Sequence, residues 1–177
     1  MKSKIYSKKQ TFQGREINVY DYKYSVRGNI VNTEVIKHSN VSAILAIVNN
    51  KIILEKQYRI PHGHVFEIPA GTIKKGEGSK QCAIRELKEE TGYIAKNMKL
   101  LIKIHPAIDF STEKIFCYIA SDLKKTHSKL EHDEDISLIY VTLKQSIKMI
   151  FNNQITDSKT ISTIFAYHYK NLSKNYK

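Results

Sequence analysis

The sequence lacks the features that define several classes of protein. Its 177 residues include only two cysteines, Cys82 and Cys117, and no Cys-x-x-Cys pair. Neither a disulfide framework nor a thiolate zinc site is therefore expected. No apolar run approaches the ~18 residues of a membrane-spanning helix, and the basic N-terminus lacks the apolar core of a signal peptide. We expect two buried free thiols, no membrane span and a cytoplasmic location.

Negative charge is also scarce. The chain has 29 Lys and Arg against 17 Asp and Glu, a net charge of +12, and such a balance occurs in nucleic-acid-binding proteins. The basic residues are scattered, however, and no dense basic run is interleaved with aromatic residues. The composition favours a lysine-rich solvated surface that attracts anionic phosphorylated substrates, and it argues against a nucleic-acid partner.

Apolar runs and turn signals predict a single α/β (α+β) sandwich made of strands and three helices. Val41 to Val48 is almost entirely apolar, as a buried strand should be. Further strands are predicted over residues 5–12, 17–24, 30–37, 51–56, 65–68, 100–104, 114–120 and 136–141. Helices are predicted over 79–91, 143–151 and 158–172, with Ser79 and Asp157 as N-caps and Gly92 as a stop signal.

Three glutamates of the first predicted helix share one face. Glu86, Glu89 and Glu90 stand at positions i, i+3 and i+4, which fall within about 100° of arc on a helix. Glu77 lies in a glycine-bracketed loop just before them. Hard divalent cations such as Mg²⁺ bind carboxylate oxygens. Taken alone, this spacing fits either a solvated acidic face or a metal site.

The stretch from Gly71 to Tyr93, GTIKKGEGSKQCAIRELKEETGY, resembles the Nudix box, Gly-x5-Glu-x7-Arg-Glu-U-x-Glu-Glu-x-Gly-U, in which U is aliphatic. Only Tyr93, at the last U, departs from the pattern. The resemblance implies the Nudix fold, an α/β/α sandwich around a mixed sheet. It also implies hydrolysis of a nucleoside diphosphate linked to another moiety, with Mg²⁺ as cofactor and Mn²⁺ as a possible substitute. The fixed positions are Gly71, Glu77, Arg85, Glu86, Glu89, Glu90 and Gly92.

Segments that extend beyond the box are similar to the ADP-ribose pyrophosphatases. They are residues 55–59 (EKQYR), 67–71 (EIPAG) and 106–113 (PAIDFSTE). This resemblance implies conversion of ADP-ribose to AMP and ribose 5-phosphate. It also implies a homodimer in which an N-terminal antiparallel β-hairpin region, residues 1–40, is exchanged between subunits and precedes a Nudix domain at residues 41–177.

Carried over position by position, the resemblance implies a role for each site residue. Arg59, Phe110 and Glu113 would bind the substrate. Gly71, Glu77 and Gly92 would be structural, with Glu77 paired to Arg85. The expected metal ligands are the carbonyl of Ala70 and the carboxylates of Glu86, Glu89, Glu90 and Glu134. The expected catalytic residues are Arg85, Glu89, Glu90, His132 and Glu134.

Departures from the family pattern leave two questions open. His132 occupies the position of the usual catalytic glutamate, so the base is open among His132, Glu131, Asp133 and Glu134. Ile108 and Asp109 replace a proline and a glycine of the pyrophosphatase loop, which leaves room for another nucleotide sugar such as GDP-mannose. A catalytically silent nucleotide- or RNA-binding domain is a third possibility, but the complete box argues against it.

Overall fold

The structure is a computed structural model that describes residues 4–130 and 135–174. Its strands are β1 (Ile5–Gln13), β2 (Asn18–Val26), β3 (Asn29–Lys37), β4 (Val41–Val48), β5 (Lys51–Arg59), β6 (Gly63–Glu67), β7 (Ala70–Thr72), β8 (Tyr93–Ile104), β9 (Ile115–Lys125) and β10 (Ser137–Val141). Its helices are α1 (Ser79–Thr91), α2 (Leu143–Phe151) and α3 (Ser158–Lys174).

The chain divides into two compact units. We call Met1–Asn40 with His105–Lys114 the hairpin unit, and Val41–Ile104 with Ile115–Lys177 the sandwich unit. In the hairpin unit, β2 pairs antiparallel with both β1 and β3. The segment from 105 to 114 is attached to β3, because the amide of Ile36 donates to the carbonyl of Phe110 at 2.7 Å.

The sandwich unit is built on a mixed sheet of seven strands. Its central order is β10-β5-β4-β9-β8, with β6 added beside β5 and β7 added beside β4. Strands β4 and β9 run parallel, and the other pairs are antiparallel. The pairing with β4 places the short strand β7, and therefore the start of the glycine-bracketed loop, at the centre of the sheet.

Helices cover both faces of this sheet. Ala43 and Leu45 of β4 belong to a core cluster shared with Ile164 of α3 and with apolar side chains of α2. Ile44 and Ala46, which point the other way, pack in a second cluster with α1. Because successive strand residues face opposite sides, burial of both faces accounts for the unbroken apolar run of β4. The expected α/β/α sandwich is thus confirmed.

The structure corrects three details of the predicted elements. Ser79 is the first residue of α1 rather than its N-cap, which is Gly78. The hydroxyl of Ser79 instead pairs with that of Tyr118 at 2.7 Å. Strand β7 was not predicted, and β8 begins at Tyr93 rather than near residue 100. Strand β7 forms by pairing with β4, and the start of β8 forms by pairing with β9. Residue propensities do not reveal such pairing between distant segments.

Other predictions about the elements are confirmed. Gly92 ends α1 with a left-handed φ of 67°, and a carboxylate oxygen of Asp157 accepts a hydrogen bond from the amide of Thr160 in the first turn of α3. Cys82 and Cys117 are buried free thiols. None of the helices in the described part of the chain has the length and apolar character needed to cross a membrane.

Candidate active site on the first helix

The first helix directs two of its glutamates into the protein. Ala83 and Leu87 pack against the sheet in the second core cluster. Glu86 and Glu90 are also buried, with exposed fractions of 8% and 5%, whereas the side chain of Glu89 keeps 31%. Buried carboxylates are rare unless they have partners or a function. The helix therefore does not present a simple solvated acidic face.

Arg85 is the centre of an ion-pair network that we call the Arg85 network. Its Nε and Nη2 donate to the two oxygens of Glu77 at 2.8 and 3.0 Å. Its Nη1 donates to Glu86 at 2.6 Å and to Glu89 at 3.0 Å, and Nη2 also lies 3.3 Å from the carbonyl of Thr72. The expected pairing of Glu77 with Arg85 is present. One guanidinium holds three carboxylates and attaches the loop to the helix.

The pKa values of Glu77, Arg85 and Glu86 are shifted by their mutual contacts and by burial. The hydrogen bond from Arg85 lowers the pKa of Glu77 to about 2. The hydrogen bond with Glu77, together with the nearby Glu89 and Glu86, raises the pKa of Arg85. Burial raises the pKa of Glu86, and the charge of Arg85 opposes only part of that rise. Glu86 is thus a carboxylate that would gain from a further cationic partner.

Strand β7 brings its backbone against the two buried glutamates. The amide of Ala70 donates to Glu90 Oε2 at 3.1 Å. A side chain at Gly71 would overlap the carboxylate of Glu86, so only glycine permits this approach. The geometry explains why a glycine is needed at position 71. It also brings the backbone amide of Ala70 against Glu90; the role of the Ala70 carbonyl as a metal ligand stays a prediction.

The end of the helix meets a loop that borders a cavity. The backbone amide of Lys129 donates to the carbonyl of Glu89 at 2.9 Å, and that of Thr126 to Gly92 at 2.7 Å. A Cβ at Gly92 would come within 2.8 Å of the amide nitrogen of Ser128. The adjoining cavity of about 590 Å³ is lined by Arg85, Lys88, Glu89 and residues 126–129. Gly92 is therefore required both by its φ and by this contact.

Arg59 lies on the sheet face that α1 covers. Side chains alternate along β5, so Arg59 shares a face with Ile53, which packs in the α1 cluster. Its Nε donates to Glu67 at 2.8 Å, and its side chain remains 46% exposed. Arg59 is a half-exposed guanidinium with one donor committed to the protein.

Comparison with known proteins assigns this arrangement to a family. A family model described as NUDIX domain matches residues 37–162, more than half of the chain. The ADP-ribose pyrophosphatase of Bacillus subtilis (strain 168) is 34% identical over 169 residues, which cover 93% of this chain and 91% of the relative. The chain belongs to the Nudix hydrolase family. The methanol dehydrogenase activator of Bacillus methanolicus is 37% identical over 160 residues, covering 88% and 86% of the two chains.

The Nudix fold is also seen in a solved structure. The crystal structure of an ADP compounds hydrolase has a TM-score of 0.89 to this chain, covering 98% of this chain and 96% of the other. The two are 20% identical, so this likeness concerns the fold alone. The expectation of a Nudix sandwich from one sequence motif is confirmed independently by the family model and by this structure.

The Nudix box residues come together around α1, and two further expected site residues belong to the other unit. Phe110 and Glu113 belong to the hairpin unit. There Glu113 Oε1 lies 3.6 Å from His38 Nδ1, and Phe110 is 47% exposed. Their substrate-binding roles stay predictions. His132 and Glu134, expected as base and metal ligand, lie outside the described residues, as do the alternatives Glu131 and Asp133.

The carboxylates of α1 suit a divalent cation in their chemistry. Nudix hydrolases generally need a divalent metal. Glu86 Oε2 and Glu89 Oε1 accept no hydrogen bond from any described residue, whereas the other oxygen of each is held by Arg85. Within residues 4–130 and 135–174, no group of three acidic, His or Cys side chains is already arranged around a common point for a metal. The donors are present, but Arg85 engages two of them.

Sequence reasoning missed the partners that surround Arg59. The sequence places Glu67 within the 67–71 segment and gives no clear signal for Lys159. The structure pairs Arg59 with Glu67, eight positions away, and pairs Glu67 in turn with Lys159, 92 positions further along the chain. The Asp-x-Lys spacing at the start of α3 was a weak signal, because a lysine beside an acidic N-cap is common on exposed helices.

Proposed function

We propose that this Nudix hydrolase cleaves ADP-ribose to AMP and ribose 5-phosphate with Mg²⁺ as cofactor. The observation that carries the proposal is the cluster of Glu86, Glu89 and Glu90 beside the backbone of Ala70. Two of these carboxylates are buried, and burial raises the pKa of Glu86. Such a site favours binding of a divalent cation, which in turn binds the diphosphate of a substrate.

The metal would be held by residues of α1 and β7. The chemistry of the donor set fits: Glu86, Glu89 and Glu90 supply carboxylate oxygens, and the carbonyl of Ala70 is the expected backbone donor. When bound, a divalent cation neutralises diphosphate charge and lowers the pKa of a bound water. Mn²⁺, which prefers the same oxygen donors, is the expected substitute for Mg²⁺.

The remaining residues would bind and orient the substrate. Arg59 offers a guanidinium on the α1 face of the sheet, and the planar fork of arginine suits phosphate oxygens. Arg85 holds Glu86 and Glu89 in place, so its role is to position the donors. Phe110 and Glu113 are proposed to bind the substrate, and a residue of the acidic segment 131–134 to activate water.

ADP-ribose is favoured over other substrates by the relatives. The Bacillus subtilis protein named as an ADP-ribose pyrophosphatase is matched along nearly the whole of both chains. The segments similar to the ADP-ribose pyrophosphatases extend beyond the Nudix box, at residues 55–59, 67–71 and 106–113. GDP-mannose is the second candidate substrate, because Ile108 and Asp109 in the third segment depart from the ADP-ribose pyrophosphatase pattern.

A product assay tests the proposal. The protein is incubated with Mg²⁺ and ADP-ribose, GDP-mannose, NADH or a diadenosine polyphosphate, and the nucleotide products are separated. The expected result is the highest kcat/KM on ADP-ribose, with AMP and ribose 5-phosphate formed in equal amounts. A higher kcat/KM on GDP-mannose would replace the proposed substrate. Absence of turnover on the whole panel would support a nucleotide- or RNA-binding domain instead.

The acidic segment after β9 needs its own test, because its role rests on the sequence. Glu134→Gln removes a proposed metal ligand while preserving the side-chain size, and we expect kcat to fall more than about tenfold. A smaller loss would exclude a direct role for Glu134. His132→Gln distinguishes the base: loss of a limb in the pH profile near the ordinary pKa of histidine, ~6.5, would assign that role to His132.

We also propose a cytoplasmic homodimer that exchanges its residues 1–40. Support for the dimer comes from large apolar side chains exposed on the strands of the hairpin unit, including Ile5, Phe12 and Ile30. Support for the compartment comes from the two free buried thiols. Light scattering of the intact chain should give twice the monomer mass of 20.5 kDa. A monomer at micromolar concentration would contradict the dimer.

A further inference from the structure

A second ion-pair network, outside the Nudix box, surrounds Glu67. This residue is a buried carboxylate whose side chain is only 6% exposed. Its Oε1 accepts from Arg59 Nε at 2.8 Å, and its Oε2 accepts from Lys159 Nζ at 2.6 Å. Each oxygen therefore has one cationic partner. We call these residues, together with Asp157, the Glu67 network.

Lys159 is fixed in place by the start of α3. Its Nζ lies 3.1 Å from Asp157 Oδ1, and Asp157 Oδ2 accepts from the amide of Thr160 at 2.9 Å. The hydroxyl of Thr160 accepts from the amide of Ile68, the residue after Glu67, at 2.9 Å. The first turn of α3 is thereby attached to the end of β6. The ammonium of Lys159 is aimed at Glu67 from a rigid support.

Exposure differs along the network. Lys159 retains 13% of its side-chain exposure and Arg59 retains 46%. Burial alone would lower the pKa of Lys159, but Glu67 and Asp157 outweigh this effect and raise it. Lys159 is therefore charged at neutral pH. Of the two cations, Arg59 is the one that reaches solvent, and its Nη groups donate to no described residue.

We propose that Lys159 is a positioning residue for Arg59. By occupying Oε2 of Glu67, Lys159 leaves a single oxygen for Arg59, which binds it through Nε. Neither Nη group of Arg59 is then engaged by a described residue, and both can donate to an anionic diphosphate. This inference rests on the proposed function, in which Arg59 contacts the substrate.

The alternative geometry shows why Lys159 matters. A carboxylate with two available oxygens binds arginine through a bidentate fork. Without Lys159, Glu67 would take two donors of Arg59 and withdraw at least one Nη group from the substrate. The cost falls on substrate binding rather than on the chemical step, because the metal-binding carboxylates of α1 are untouched. KM should rise while kcat changes little.

Lys159→Met tests this at saturating Mg²⁺, with ADP-ribose as substrate. We expect KM to rise roughly tenfold, the scale of one charge-assisted hydrogen bond, and kcat to stay within about twofold. Lys159→Arg keeps the positive charge, so its KM should lie between those of the wild type and Lys159→Met. If Lys159→Met does not yield folded protein, Glu67→Gln is used in its place. Glutamine keeps the side-chain volume of Glu67 and removes the negative charge that holds both Arg59 and Lys159.

A double-mutant cycle shows whether the effect passes through Arg59. Arg59→Gln alone should raise KM by more than tenfold. In that background, adding Lys159→Met (or Glu67→Gln) should change KM by less than about twofold. An equal rise in both backgrounds, or no rise in the wild-type background, would overturn the proposal. If Arg59→Gln itself leaves KM unchanged, the substrate role of Arg59 fails, and the positioning role fails with it.

Thr160→Val is the matched control for a purely structural effect. It removes the hydroxyl that accepts from Ile68 and donates to Asp157, so it weakens the same attachment of α3. It leaves the contacts of Glu67 with Arg59 and Lys159 in place. We expect a lower Tm but an unchanged KM. A rise in KM matching that of Lys159→Met would mean that any loosening of α3 suffices, and would overturn a specific role for Lys159.

Discussion

The Arg85 and Glu67 networks each pair arginine with glutamate, but they differ in net charge. In the Arg85 network, one guanidinium faces three carboxylates. In the Glu67 network, two cations face the two carboxylates of Glu67 and Asp157. The first therefore retains surplus negative charge and the second is neutral.

This difference fits the partner that each network is proposed to receive. Surplus carboxylate charge near α1 is compensated when a divalent cation binds. A neutral network tolerates burial better than an unpaired charge does, and it can present the guanidinium of Arg59 to an anion. A diphosphate substrate and its metal need both kinds of site. The comparison predicts that damage to the first network lowers kcat, and damage to the second raises KM.

Glu90→Gln should have the largest effect on the metal side. If the carboxylate of Glu90 holds the metal, kcat should fall by roughly 10³-fold or more, because metal-based stabilisation of the transition state is worth several kcal/mol. The amide oxygen of glutamine can still accept from the Ala70 amide, so the Tm is measured alongside kcat to show that the variant remains folded. Steady-state assays over a range of Mg²⁺ concentrations measure kcat, and thermal unfolding measures the Tm. A loss of less than tenfold would remove Glu90 from the metal site.

Gly71→Ala probes the same side through the backbone. The added methyl overlaps the carboxylate of Glu86, and displacement by about 1 Å can cost on the order of 10²-fold in rate. Gly76→Ala is the control: its φ of +82° makes alanine strained, but nothing lies within 4 Å of the new Cβ. It should lower the free energy of unfolding by ~1 kcal/mol and spare kcat. Equal kcat losses in both variants would refute the steric argument.

On the Glu67 side, Lys159→Met should reduce stability in a pH-dependent way. Breaking a buried ion pair costs roughly 3 kcal/mol near neutral pH. Because the folded-state pKa of Lys159 lies above its ordinary value of 10.5, its contribution is present below pH 10.5 and is lost as the pH rises through the folded-state pKa. Denaturant unfolding from pH 8 to pH 12 should show that loss in the wild type and not in the variant.

Lys170→Met serves as the control for that measurement, because Lys170 is exposed on the same helix. Its free energy of unfolding should remain within about 0.5 kcal/mol of the wild type at each pH. A control that lost as much stability as Lys159→Met would show that helix charge in general, rather than the Glu67 network, is responsible.

Among the changes within the two networks, Glu77→Gln should have the smallest effect on the free energy of unfolding. Since the pKa of Glu77 is lowered from 4.5 to about 2, its pairing with Arg85 stabilises the fold above pH 4.5, and that stability is lost as the pH falls towards 2. With allowance for solvent screening, the contribution is about 1–2 kcal/mol. Acid unfolding should be shallower in Glu77→Gln, whereas exposed Glu16→Gln should match the wild type. An unchanged acid limb in Glu77→Gln would contradict the pairing energy.

The sequence predicted the elements that carry strong local signals. The α1 helix, its glycine stop and the apolar strand β4 follow from periodicity and from residue conformational preferences, which act within a few positions. Strand β7 was missed, because three residues carry too little signal and their extended form depends on pairing with β4. Ser79 was misjudged as a cap because its hydroxyl pairs instead with Tyr118, a residue distant in sequence.

The sequence by itself determined the family, the reaction class and the spacing of the α1 carboxylates, because all of these are encoded within the one stretch from Gly71 to Tyr93. Only the tertiary structure decided which carboxylates are buried, why residue 71 must be glycine, and how Lys159 of α3 reaches Glu67 and Arg59. Those properties arise from contacts between segments far apart in the chain, and spacing along one helix cannot reveal them.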